Sequence, residues 1–214
     1  MQDRSRRSQP VSQLRVCAVD PGLPRCGIAV VAIAANRKAE LVDVVVVGSP
    51  GTDPIGERLA VIDKAMDTWL DKYQPDHLAI ERMFAQNNTP TIIGTAQASG
   101  VAIAAGARRN VPTALLTPSE VKAAVTGSGS ADKNQVTSMV MRILGLKAAP
   151  KPADAADAIA IAIAHAWRGG LFGRGLDTGK LTSRSAASKF SSARPETNLT
   201  PAQKLWLAAE RRAK

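Results

Sequence analysis

The apolar positions of this chain change period along its length. Val16-Cys17-Ala18-Val19 runs without interruption into Asp20, and Pro21-Gly22 closes the run. A short apolar stretch with β-branched members, bounded by turn residues, predicts a buried strand with Asp20 at its C-terminal lip. Gly27 to Ala35 and Leu41 to Val47 repeat the pattern, with Asn36-Arg37-Lys38 turning between them. Short connections between successive strands predict an antiparallel meander. The period then lengthens: Ile55, Leu59, Ile62, Met66, Trp69 and Leu70 recur at helical spacing, so a helix spans 55–73 and Pro75 stops it. Asp76 to Glu81 is a second short strand that ends in an acid. A polar loop from Phe84 to Thr89, a helix over 91–109 and a strand from Val111 to Leu116 follow. A meander followed by strand–helix alternation predicts an α/β fold, a mixed sheet of three antiparallel strands plus parallel strands, flanked by helices.

The helical pattern continues to residue 168. Thr117-Pro118-Ser119-Glu120 combines a hydroxyl cap, proline at the first helical position and Glu three residues after the cap, so a helix starts at 118 and carries Lys122. Gly127-Ser128-Gly129-Ser130 breaks it. A helix over Ala131 to Leu144 carries Lys133, a linker spans 145–152, and a helix runs from Ala153 to Trp167. On the 91–109 helix, Gly94, Ala98, Ala102 and Gly106 form a smooth ridge at i, i+4 spacing. Such a ridge admits close approach, either by packing within the chain or as a candidate homodimer seam. Past Arg168 the Gly, Ser and Arg content rises and periodicity is lost. Residues 173–198 are expected to be disordered, with a marginal basic helix over Pro201 to Lys214.

Composition narrows the class. With 214 residues and 3% aromatics, the core is built from Ala, Val, Ile and Leu. The net charge of +10 lies mostly at the ends: residues 1–12 hold three basic and one acidic residue (+2), and 169–214 hold nine basic and three acidic (+6). The remaining 16 basic and 14 acidic residues leave +2 for 13–168. The expected layout is a basic, disordered extension over 1–12, a folded domain over 13–168 and a basic, largely disordered tail over 169–214. Basic ends suit a polyanion, and the stretch from Thr91 to Ala107 is too short and polar for a membrane span. The N-terminus lacks the apolar core of a signal peptide, and Cys17 and Cys26, without CxxC spacing, read as buried thiols of a reduced cytoplasm.

Four acids carry candidate chemistry. Asp20 and Glu81 end two strands; Asp154 and Asp157 lie three residues apart, on one face of a helix and in its first turns. The positive helix end favours their ionised form, which a metal site requires. Oxygen ligands alone, without His or Cys at ligand spacing, suit Mg²⁺, with Mn²⁺ as substitute, rather than zinc. Two such ions about 3.5–4 Å apart can hydrolyse a phosphodiester. His165 is about 16 Å along the helix from Asp154, too far to share an ion. His77 starts a strand at the end opposite Glu81 and reads as structural.

Several motifs in unbroken order over about 14–168 resemble the RuvC family of Holliday-junction resolvases. They are Asp20-Pro21-Gly22 with Arg25-Cys26-Gly27, Ala79-Ile80-Glu81-Arg82 leading to Phe84 and Asn87, and Gly94-Thr95-Ala96-Gln97-Ala98 with Gly100. Pro118 to Lys122, Gly127 to Lys133 and Asp154-Ala155-Ala156-Asp157-Ala158 complete the set. The resemblance implies a ribonuclease H-like fold, a homodimer, Mg²⁺-dependent nicking of two opposed strands at a four-way DNA junction, and a RuvAB-type branch-migration complex as partner. It implies that Asp20, Glu81, Asp154 and Asp157 are the metal-binding acids, with either helical Asp as the indispensable one. It implies that Lys122 and Lys133 approach the scissile phosphate, and that Phe84 stacks on bases at the junction centre. Three other readings fit parts of the chain. A ribonuclease H-like enzyme would cut RNA or RNA–DNA hybrid. A non-catalytic junction binder would not need four acids. An actin-like sugar kinase also opens with an Asp-Gly strand turn but needs a second phosphate-binding glycine turn.

Overall fold

The computed structural model describes residues 13–82 and 89–168. The expectations for 1–12, Phe84, 173–198 and 201–214 lie outside the described residues. Five strands form one sheet in the order β3-β2-β1-β4-β5: β1 (Gln13–Asp20), β2 (Cys26–Ala34), β3 (Ala39–Val47), β4 (His77–Glu81) and β5 (Thr113–Leu116). The first three pair antiparallel, and β4 and β5 join β1 in parallel. The expected mixed sheet is therefore present.

Helices cover both faces. Alternation along β1 decides which core each residue enters. Cys17 and Val19 face a core built with α1 (Ile55–Tyr73) and α2 (Thr89–Arg108), whereas Val16 and Ala18 face α3 (Pro118–Thr126), α4 (Lys133–Leu144) and α5 (Ala153–Arg168). Asp20 continues the second series and so points to the α5 side. By the same period Ala79 enters that core and Glu81 follows it. Both cysteines are buried and unpaired, and burial pushes each thiol up to about 12, which leaves them as inert packing groups.

Helix α5 is the centre of this second core. From Ala158 to Ala164 no residue is more than 1% exposed, all the way round the helix. Its Ala-Ile sequence permits this: one side lies on the sheet, and α3 and α4 cover the other. Gly27 makes the approach close, because a Cβ there would overlap the carbonyl oxygen of Asp154. The capping box at Thr117 and Glu120 forms as expected. A second one was not expected: Asp132 and Gln135 cap α4, which therefore begins at Lys133 rather than Ala131. Strand β5 begins at Thr113 rather than Val111, because the Val111 N–H is taken by the Gly106 carbonyl at the end of α2.

The small-residue ridge on α2 faces inward. Ala98 and Ala102 are fully buried, a Cβ on Gly94 would lie 2.7 Å from Leu23 Cδ1, and one on Gly106 would lie 2.7 Å from Leu78 Cδ2. The ridge seats the helix on its own sheet, and its assignment as a homodimer seam is incorrect. No helix among the described residues is long and apolar enough to cross a membrane.

Candidate active site

Val19 pairs with Ile80 across the parallel β1–β4 junction, so the next residues, Asp20 and Glu81, end adjacent strands side by side on the α5 face. The first turns of α5 bring Asp154 and Asp157 over them. Carboxylate oxygens of Asp20, Asp154 and Asp157 all lie within 4.8 Å of one another. Glu81 is not part of that group of three but lines the same cleft, of about 220 Å³, with Asp20, Asp157, Lys122 and Lys133. Lys122 comes from the middle of α3 and Lys133 from the first position of α4, and the two capping boxes fix where these helices begin.

Electrostatics mark the cluster as under-compensated. Burial, and then the negative charges of Glu81, Asp157 and Asp154, push the Asp20 carboxyl up to about 7, with Lys133 opposing. Glu81 is raised by burial and by Asp157, with Lys133 and Lys122 opposing. Lys133 Nζ lies 2.7 Å from Asp157 Oδ2, and this contact holds the ammonium in its charged form. At the other edge Arg25 Nε lies 3.0 Å from Asp154 Oδ2 in an ion pair. Half-buried carboxylates in mutual repulsion are stabilised by a cation between them, and an all-oxygen donor set selects a hard one. The residues present therefore fit a divalent cation of the Mg²⁺ or Mn²⁺ kind.

Five of the six candidate residues within the described chain line one cleft and the sixth, Asp154, stands beside Asp20 and Asp157, while Phe84 lies outside the described residues. Two features escaped the sequence reading. One is Arg25, whose one signal in the sequence is that it is the only charged residue in the turn from Pro21 to Gly27. In the other, the rings of His77 and His165 meet at the far end of the α5 face in a tilted contact, centroids 5.2 Å apart. His165 Nε2 is buried without a hydrogen-bond partner.

A profile of the family described as crossover junction endodeoxyribonuclease RuvC matches residues 16–165. The chain belongs to the RuvC family. It is 53% identical to the crossover junction endodeoxyribonuclease RuvC of Pseudarthrobacter chlorophenolicus, over 94% of this chain and 97% of that protein. It is 55% identical to the RuvC of Renibacterium salmoninarum, over 94% of each. Among solved structures, Thermus thermophilus RuvC in complex with a Holliday-junction substrate is similar, with a TM-score of 0.69 and 35% identity over 72% of this chain and 93% of that one. The ribonuclease H-like mixed sheet flanked by helices is therefore both observed and shared with a RuvC relative.

Proposed function

We propose that this chain is a Holliday-junction resolvase, an endonuclease that nicks two opposed strands of a four-way DNA junction in recombination and repair. The observation that carries this reading is the grouping of Asp20, Asp154 and Asp157, with Glu81 beside Asp20 and Asp157 in the adjoining cleft, on a RuvC-family fold. The nuclease domain is 13–168, and the basic segments 1–12 and 169–214 add affinity for the polyanion.

Asp20, Asp154 and Asp157, with Glu81 beside them, would hold two Mg²⁺ ions, for which Mn²⁺ is the natural substitute. When bound, such ions supply Lewis acidity toward water and the phosphate oxygens of the scissile bond. The remaining work falls to the chain's own residues. The acids that end β1 and β4 sit on adjacent interior strands of the sheet and set the orientation of the cluster. Lys122 and Lys133 present positive charge at the rim, where a phosphate approaching the cleft gains charge-assisted contacts. Water attacks in line, the P–O3′ bond breaks, and the products are a 5′-phosphate and a 3′-hydroxyl. Phe84, three residues after Glu81 in the sequence, is the candidate for stacking on bases at the junction centre.

Two opposed nicks call for two sites related by a twofold axis, hence a homodimer. The outward face of α2 suits the seam. Ile93 (53% exposed) and Ile103 (36%) stand there with exposed Ala96, Gly100 and Ala107, without a charge among them. A RuvAB-type branch-migration complex is the partner and the cytoplasm the setting, in keeping with the family. The test is a side-by-side incubation with four-way junction, linear duplex and RNA–DNA hybrid, with and without Mg²⁺, for wild type and Glu81→Gln. Cutting of the junction alone, dependent on Mg²⁺ and lost in the variant, is expected. Preference for the hybrid, or undiminished cutting by Glu81→Gln, overturns the reading.

A further inference from the structure

The turn that links β1 to β2 is clamped by close approaches that leave no room for side chains. A Cβ on Gly22 would press on the carbonyl oxygen of Arg25. A Cβ on Gly48, just past β3, would overlap the Pro24 carbonyl and lie 3.2 Å from the Arg25 amide nitrogen. The Arg25 backbone is thus fixed from two sides. From that position its side chain reaches the first turn of α5, where Nε lies 3.0 Å from Asp154 Oδ2. The arginine side chain is 68% exposed and Asp154 only 19%, so most of the guanidinium stays in solvent while its Nε engages a carboxylate of the acidic cluster.

We propose that Arg25 is a positioning residue with two alternating partners: it holds Asp154 while the acidic cluster lacks a divalent cation, and it turns to a backbone phosphate of the bound DNA once a cation has claimed that carboxylate. The inference rests on the nuclease reading and adds to it a residue with no role there. The physical reason is competition. A carboxylate oxygen held in an ion pair with a guanidinium is a poorer ligand, so a cation must displace the arginine. An exposed ion pair is weak enough to be displaced. Once released, the planar guanidinium faces the mouth of the cleft, where phosphate enters, and its fork matches phosphate oxygens. The Lys133–Asp157 pair faces the same competition, but Lys133 already belongs to the proposed phosphate-contacting set; Arg25 does not.

The two roles predict opposite changes on removing the side chain, which loss of a merely structural contact would not give. Mg²⁺ affinity is read by calorimetry on DNA-free protein, and junction affinity by fluorescence anisotropy in Ca²⁺ across a salt series. For Arg25→Ala, Mg²⁺ binding is expected to tighten by about two- to fivefold, the worth of an exposed ion pair. Junction binding is expected to weaken, with a salt slope shallower by about 0.9, one phosphate contact. Arg25→Lys is expected to restore the slope. Unchanged or weaker Mg²⁺ binding in Arg25→Ala, or an unchanged salt slope, overturns the proposal. Failure of the wild-type protein to cut junctions would instead overturn the nuclease reading, so the two failures are distinguishable.

Discussion

Gly27 on β2 and Asp154 on α5 meet backbone to backbone, and that contact sets the height of the carboxylate pair above Asp20. Only hydrogen fits at the Gly27 Cα. Gly27→Ala is expected to push the start of α5 off the sheet, at a cost of about 1–3 kcal/mol from overpacking. The same displacement would spread the three carboxylates. Urea unfolding together with Mg²⁺ titration checks this, the expected outcome being reduced stability with a larger proportional loss of cation binding.

The acidic cluster makes the stability of the cation-free protein depend on pH in an uncommon direction. Asp20 ionises near 3.8 when unfolded but at about 7 when folded. Between those values the folded chain keeps a proton that the unfolded chain has released, so this group lowers stability as pH rises through the window. Asp20→Asn is expected to be more stable than wild type at pH 8 by roughly 1–3 kcal/mol, and equal to it near pH 4. Mg²⁺ binds in competition with that proton, so its effect on Tm is expected to be larger at pH 8 than at pH 5. An equal Mg²⁺ effect at both values would contradict the assignment.

The two contacting histidines act in the opposite sense. Burial, then the neighbouring His77 and Arg168, bring His165 down to about 4 from the ordinary 6.5. The unfolded chain takes up the proton first as pH falls from 6.5 to 4, so stability is lost on acidification. Replacing the ring by an apolar one, as in His165→Phe, removes both this uptake and the unpartnered Nε2. The urea midpoint of the variant is expected to fall less than that of wild type between pH 7 and pH 5. Because Asp20 and His165 oppose one another over much of this range, each is read as a difference from its own variant.

The two faces of α2 separate association from folding. Ala98 is fully buried against the sheet, so Ala98→Leu is expected to destabilise the fold by about 1–3 kcal/mol without acting on a seam. Ile103 on the outward face is partly exposed, and Ile103→Glu is expected to leave folding intact while halving the mass seen by sedimentation. A variant Ile103→Glu that stays fully dimeric would remove this face from consideration.

What the sequence made legible was local or periodic. The Asp20 and Glu81 strand ends, and the Thr117–Glu120 cap, depend on neighbours within a few residues and could be read directly. The α2 ridge announced a close approach without saying to what, because spacing carries no information about the approaching surface; Leu23 and Leu78 turned out to occupy it. Arg25 with Asp154 and His77 with His165 were hidden for the same reason: each pair is distant in sequence and is brought together only by the crossing of α5 over the sheet. The side chain of Asp132 reads equally as a loop residue or a cap, and only its hydrogen bond to the Gln135 amide decides it.

The burial of α5 on every side has a consequence for how the centre can fail. Its amides belong to the part of the domain that opens only on global unfolding, so their hydrogen exchange should be governed by the full unfolding free energy. Asp154 and Asp157 are carried on that same unit. Frayed, half-active forms are therefore not available as a cheap intermediate. Core mutations far from the cleft should lower the fraction of competent molecules while leaving those that remain fully active.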